Sequence, residues 1–148
     1  MIFNLKAFLF ILILLFILAC TKKESPRLNL IATPPQQANL SCEKHYQIDF
    51  YLDCDIEYRQ IPVMVLDFEF YKGKQQLMKG GTDPLKCTNI TKESKKIKNG
   101  ITRWKFYGKL EGNFIPPSDT IFNIVPTLIK NNQQDLIIHK MDLVFVYK

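Results

Sequence analysis

Between Tyr46 and Arg59, apolar and polar side chains change places at every step. Tyr46, Ile48, Phe50, Leu52, Cys54, Ile56 and Tyr58 alternate with Gln47, Asp49, Tyr51, Asp53, Asp55, Glu57 and Arg59. A period of two held over 14 residues predicts a β-strand with one buried and one wet face. A division into two strands near Asp53–Asp55 is the alternative. Pro62 opens the next strand, with Met64, Leu66, Phe68 and Phe70 on one face and Val63, Val65, Asp67 and Glu69 on the other. Lys72-Gly73-Lys74 then predicts a turn, Gln75–Met78 the return strand, and Lys79–Pro84 a loop.

Further along, Lys95–Lys98 and Ile101–Leu110 flank Asn99-Gly100, the strongest hairpin signal in the chain. A type I′ turn needs positive φ at both central residues, which Asn and Gly tolerate. Trp104 and Phe106 share one face of the second strand. Pro116-Pro117-Ser118-Asp119 predicts a corner, and Thr120–Ile129 and Asp135–Tyr147 are the last two strands. Pro126 has no N–H to give to a ladder, so the strand around it is an edge or carries a bulge. The final strand has apolar residues on both faces, which fits either double cover or a face-switching bulge near Lys140. Short strands at roughly 8–12-residue spacing, with turn signals between them, predict an all-β fold. The expected architecture is an immunoglobulin-like or transthyretin-like sandwich of about seven to eight antiparallel strands over residues 40–148, with a small barrel as the alternative. The cysteine–tryptophan spacing of true immunoglobulin domains is absent.

The N-terminus follows a different pattern. Ala7–Ala19 is an unbroken apolar run of 13 residues behind the single cation Lys6, short for a bilayer-spanning helix, which needs roughly 20. It ends in Ile17-Leu18-Ala19-Cys20. This segment resembles the lipobox of bacterial lipoproteins: an aliphatic residue, a spacer, a small residue and then the acylated cysteine. Ile17 in place of Leu is its one mild departure from that pattern. The resemblance implies a signal peptide over residues 1–19 and a lipid thioether at Cys20, the new N-terminus. Residues 20–39 carry Lys22, Lys23, Pro26, Pro34-Pro35 and Gln36-Gln37, which predicts a flexible tether with at most a short edge strand near Leu28–Ala32. Two or more acyl chains suffice for stable membrane attachment. Thr21 after the cysteine, where Asp would retain the protein, favours the outer membrane on enteric-type sorting.

Charge and cysteine usage refine this picture. The formal charge of +6 comes mostly from scattered lysines, with one concentration at Lys92, Lys95, Lys96 and Lys98. A solvated hairpin face accounts for the cluster, and an exported lipoprotein does not imply nucleic acid as a partner. With Cys20 committed to lipid, Cys42, Cys54 and Cys87 remain. An oxidising compartment then allows one bridge and one spare thiol. Cys54 continues a buried strand face, so Cys42 and Cys87, both in turn-like surroundings, are the candidate pair.

Candidate chemistry is sparse. His45 and His139 have no nucleophile arranged beside them in any recognisable motif, so no catalytic residue is assigned and the chain is read as not an enzyme. Cys42-x-x-His45 with Cys54 and Cys87 lacks a second zinc knuckle, and no metal or other cofactor is expected. Asp49, Asp53, Asp55 and Glu57 read as the polar face of one strand. Tyr51, Tyr71 and Tyr107 fall on the wet sides of their strands and, with Lys95, Lys96 and Lys98, make a candidate interaction surface. The expectation is a non-catalytic protein-binding or assembly lipoprotein with an envelope protein partner, on the periplasmic face or the cell surface. Alternatives are the small outer-membrane lipoprotein of type VI secretion, which it resembles in outline, and a surface coat or adhesin.

Overall fold

The computed structural model describes residues 26–131 and 134–148. Cys20 and the signal segment lie outside these residues. Nine antiparallel strands are found among them: β1 (Arg27–Asn29), β2 (Ala38–Cys42), β3 (Ile48–Tyr58), β4 (Met64–Lys72), β5 (Gln75–Thr82), β6 (Cys87–Lys98), β7 (Ile101–Phe114), β8 (Thr120–Lys130) and β9 (Ile137–Tyr147). They form a five-stranded sheet in the order β1-β9-β3-β7-β6 and a four-stranded sheet in the order β2-β8-β4-β5. The all-β sandwich is therefore what the chain forms. Its last strand lies beside β3, whereas an immunoglobulin domain keeps its last strand in the sheet of the penultimate one.

Alternation explains the core directly. The odd-face residues of β3, Ile48 through Tyr58 in steps of two, are all buried and meet Met64, Leu66, Phe68 and Phe70 of β4. Phe50 stacks on Phe68 at 5.1 Å, and Phe70 on Phe114 of β7 at 4.5 Å, so aromatic pairs bridge the two sheets. Phe122, Ile124, Leu143 and Phe145 complete the interior. Each such side chain contributes roughly 1.5–3 kcal/mol through burial. β3 runs unbroken through Asp53–Asp55 because it is the middle strand of its sheet, paired on both sides.

The local turn and bulge chemistry is visible in the backbone. Asn99 and Gly100 have φ of 52° and 73°, the paired positive values of the expected hairpin turn. In β9 the register slips by one residue: Asp55 faces Lys140 while Ile56 faces Ile138, leaving His139 as the bulged residue. That slip puts both Ile138 and Met141 on the core side, which is why the sequence looks apolar on both faces. Pro126 pairs with Phe68, and β2 accompanies β8 only as far as Ile124, so no second strand lies beside the proline.

Two expectations need correction. The segment 20–39 is not a free tether over its described part. Arg27–Asn29 pairs with Asp142–Val144 of β9, Leu28 is buried, and Leu30 N–H donates to Met141 O. Ala38–Cys42 likewise pairs with β8. The short edge strand expected near Leu28–Ala32 thus forms at Arg27–Asn29, and so few residues suffice because a sheet edge supplies their ladder. Secondly, the glycines of Lys79-Gly80-Gly81-Thr82 continue β5, where they pair with Leu66–Glu69. A Cβ at Gly81 would stand 2.8 Å from Asp67 Oδ1, so this glycine serves a close strand approach.

Candidate functional site

The two sheets present unlike outer faces. On the five-stranded sheet, the carboxylates of β3 stand in a row between cations of β7, β9 and β1. Asp55 receives Arg103 through two hydrogen bonds of 3.0 and 2.9 Å and Lys105 at 2.9 Å. The Arg103 guanidinium, ahead of the opposing cost of burial, holds the Asp55 carboxyl at about 2. Asp53 lies 3.0 Å from Arg27 and 2.7 Å from Lys140. Burial opposes its ionisation, and these two cations still keep it below the ordinary carboxylate range.

Asp49 is the extreme case, because no part of it is solvent-accessible. Its Oδ1 accepts from Gln47 at 2.6 Å. Its Oδ2 accepts no well-aligned hydrogen bond and is compensated instead by the ammonium groups of Lys109 at 3.0 Å and Lys148 at 2.7 Å. Burial pushes this acid up, but the two lysines and Gln47 together bring it down to about 2. His139 Nε2 is 3.1 Å from Glu57 Oε1 at the other end of the row. The β3 carboxylates are each compensated, while Lys96 and Lys98 at the β6 margin of the same face have no carboxylate partner among the described residues.

The expected interaction surface is not one surface. Tyr51 and Tyr107 do stack, with ring centroids 5.3 Å apart, on this charged face. Tyr71 is on β4 in the other sheet, where its hydroxyl donates to Glu69 Oε2 at 2.5 Å. Lys96 and Lys98 pair with Arg103 and Ile101 on the β6 edge. Lys95 turns to the opposite side of β6 and places Nζ 4.9 Å from the Trp104 ring, whose N–H donates to Glu93. Tyr51, Tyr107, Lys96 and Lys98 thus lie on the outer face of the five-stranded sheet, while Tyr71 and Lys95 stand elsewhere. Alternation separates Lys95 from Lys96 within β6, and which strands share a sheet is set by long-range pairing that no local pattern reports.

The expected Cys42–Cys87 bridge is not formed in this structure, where the two stand on different strands. Cys42, Cys54 and Cys87 are all free thiols. Cys42 ends β2 and donates to Leu40 O, close to Tyr147 of β9. Cys87 opens β6, at the far edge of the same sheet as β9, with β3 and β7 intervening. Three strand spacings of roughly 4.8 Å separate those positions, well beyond the 7 Å Cα limit for a bridge. Burial raises all three thiols, Cys87 to about 11 with help from Asp83. Among the described residues no group of three or more His, Cys, Asp or Glu is arranged to hold a metal ion.

What the sequence reading passed over is the outer face of the four-stranded sheet. Val65 of β4 pairs with Ile129 of β8 there, and Val63 and Ile61 extend the same end. All four are exposed, Ile61 at 71% and Val63 at 67%. The signal was in plain sight: Val63 and Val65 occupy the side of their strand where Asp67 and Glu69 stand. Comparison of the chain with family models, curated proteins and solved structures finds no match.

Proposed function

We propose that this protein is a lipid-anchored envelope lipoprotein whose sandwich acts as a non-catalytic protein-binding or assembly module. Its anchor is the acylated Cys20 and its membrane the outer membrane. The lipobox residues Ile17-Leu18-Ala19-Cys20 support the address. The observation that carries the binding role is the set of branched aliphatics Ile61, Val63, Val65 and Ile129, exposed together at one end of the four-stranded sheet. β-branched side chains on a pleated surface are rigid, so covering them costs little conformational entropy.

The reading is tested by placing a photo-crosslinking residue at Val63 or Ile129 in cells, with the same residue at Lys105 as control. One envelope protein captured in stoichiometric amount from the first two positions, and not from the third, is the expected result. Equal capture from all three, or none, refutes an aliphatic docking face. Protease treatment of intact cells separates the periplasmic from the surface placement.

A further inference from the structure

The strand β1 fixes where the anchor meets the domain. Only Thr21–Ser25 separate Cys20 from Pro26, whose carbonyl accepts from Phe145 N–H near the end of β9. Six Cα steps reach at most roughly 22 Å. The chain therefore enters the sandwich from the end where β9 finishes and β3 begins, and that end stays close to whatever holds residue 20.

That same end gathers three connections and the C-terminus. They are the β2–β3 loop, the β4–β5 turn and the β7–β8 loop, with Lys148 hydrogen-bonded to Gln47 through both backbone groups. The Lys44 backbone N–H donates to the Asp119 carboxylate, and Lys72 Nζ donates to Ser118 Oγ at 3.3 Å, so the loops are tied to one another. Tyr46, Ile115 and Ile121 are all exposed there, at 49%, 54% and 60%. Lys44, Lys72 and Lys74 stand around them, exposed and without a carboxylate partner among the described residues. Glu43 and Asp119 share the end, both exposed, and the Asp119 carboxylate is tied to the Lys44 backbone N–H. Exposed aliphatics also occur at the opposite end, so apolarity alone does not choose between the two. The entry of the chain does.

We propose that this end, presenting Tyr46, Ile115 and Ile121 within a rim of Lys44, Lys72 and Lys74, seats directly on the phospholipid surface that holds the N-terminal anchor. Tyrosine and lysine place apolar bodies toward acyl chains while their polar tips stay among headgroups. The tether makes this contact intramolecular, so a small patch is enough to bias orientation. Ile61, Val63, Val65 and Ile129 then point away from the bilayer, where an envelope partner reaches them. This inference deepens the lipoprotein reading and rests on it for the nature of the anchor.

The test uses the full chain extracted from membranes, in detergent and in vesicles of phosphatidylethanolamine and phosphatidylglycerol. Amide hydrogen exchange at residues 43–47, 72–75 and 115–121 should slow several-fold in vesicles, with residues 59–63 and 98–100 unchanged. The double variant Ile115→Glu, Ile121→Glu should lose the protection, and Val63→Glu, Ile129→Glu should keep it. Because all four positions are exposed, these variants keep the core intact, and matched thermal unfolding verifies that. Slowed exchange at the opposite end, no change anywhere, or equal effects of the two double variants would overturn the proposal. Intact mass is read on the same sample. A chain without diacylglycerol at Cys20 that still shows end-specific protection refutes the lipoprotein reading and leaves the seating intact. An acylated chain without protection does the reverse.

Discussion

Asp49 concentrates the electrostatic character of the molecule in one side chain. A fully inaccessible carboxylate is tolerated because two ammonium groups and an amide converge on it. Asp49 and Asp55 are both held at about 2 in the fold, below the unfolded value near 4. The native state therefore binds fewer protons, and its extra stability is fully present above about pH 5 and lost as pH falls toward 2. Chemical denaturation at stepped pH should show this acid limb, and Asp49→Asn should make it shallower, leaving the Asp55 part, while lowering stability at pH 7 by about 3 kcal/mol, as one-sided removal from a buried ion pair does. A wild-type stability that stays level from pH 6 to pH 2.5 would contradict the pairing.

At the scale of elements, what could be read ahead was whatever repeats locally. The alternation running through β3, the Asn99-Gly100 turn and the face-switching bulge in β9 each leave a mark within a few residues. What could not be read was which strands stand side by side. β1 and the glycine half of β5 have weak patterns of their own and exist because a neighbour supplies the ladder. The β6–β7 pairing shows the same dependence on a partner. A Cβ on Gly108 would lie 2.8 Å from both Cβ and Sγ of Cys87 and 3.2 Å from Asn89 O. Gly108→Ala should therefore cost about 1–3 kcal/mol, measured by urea denaturation. Adding Cys87→Ala should not restore the loss, because the clashing Cβ remains. Full recovery in the double variant would show that sulfur alone crowds the site.

Taken as a whole, the molecule has a row of compensated carboxylates on one sheet and an exposed aliphatic end on the other. Burial was legible from composition and period, so the core was foreseeable. The candidate site was not, since its residues are ordinary valines and isoleucines that stand out only once two strands place them together. No covalent staple crosses the sandwich: Cys42, Cys54 and Cys87 lie on separate strands as free thiols. In protein purified without reductant, Cys42, Cys54 and Cys87 should each take up an alkyl group when the chain is unfolded in denaturant, and slowly if at all when native at pH 7. Its denaturation midpoint should not move with added reductant. Mass spectrometry showing a single alkylated thiol after unfolding would establish a bridge that the strand order forbids.

One consequence of the sheet order concerns how the chain is made. β9, the last eleven residues of regular structure, lies between β1 and β3, so the first strand has no partner until the last has been synthesised. A nascent polypeptide emerging head first cannot close its five-stranded layer early. The β3-β7-β6 part can pair beforehand, but the layer is completed only when its C-terminal strand arrives.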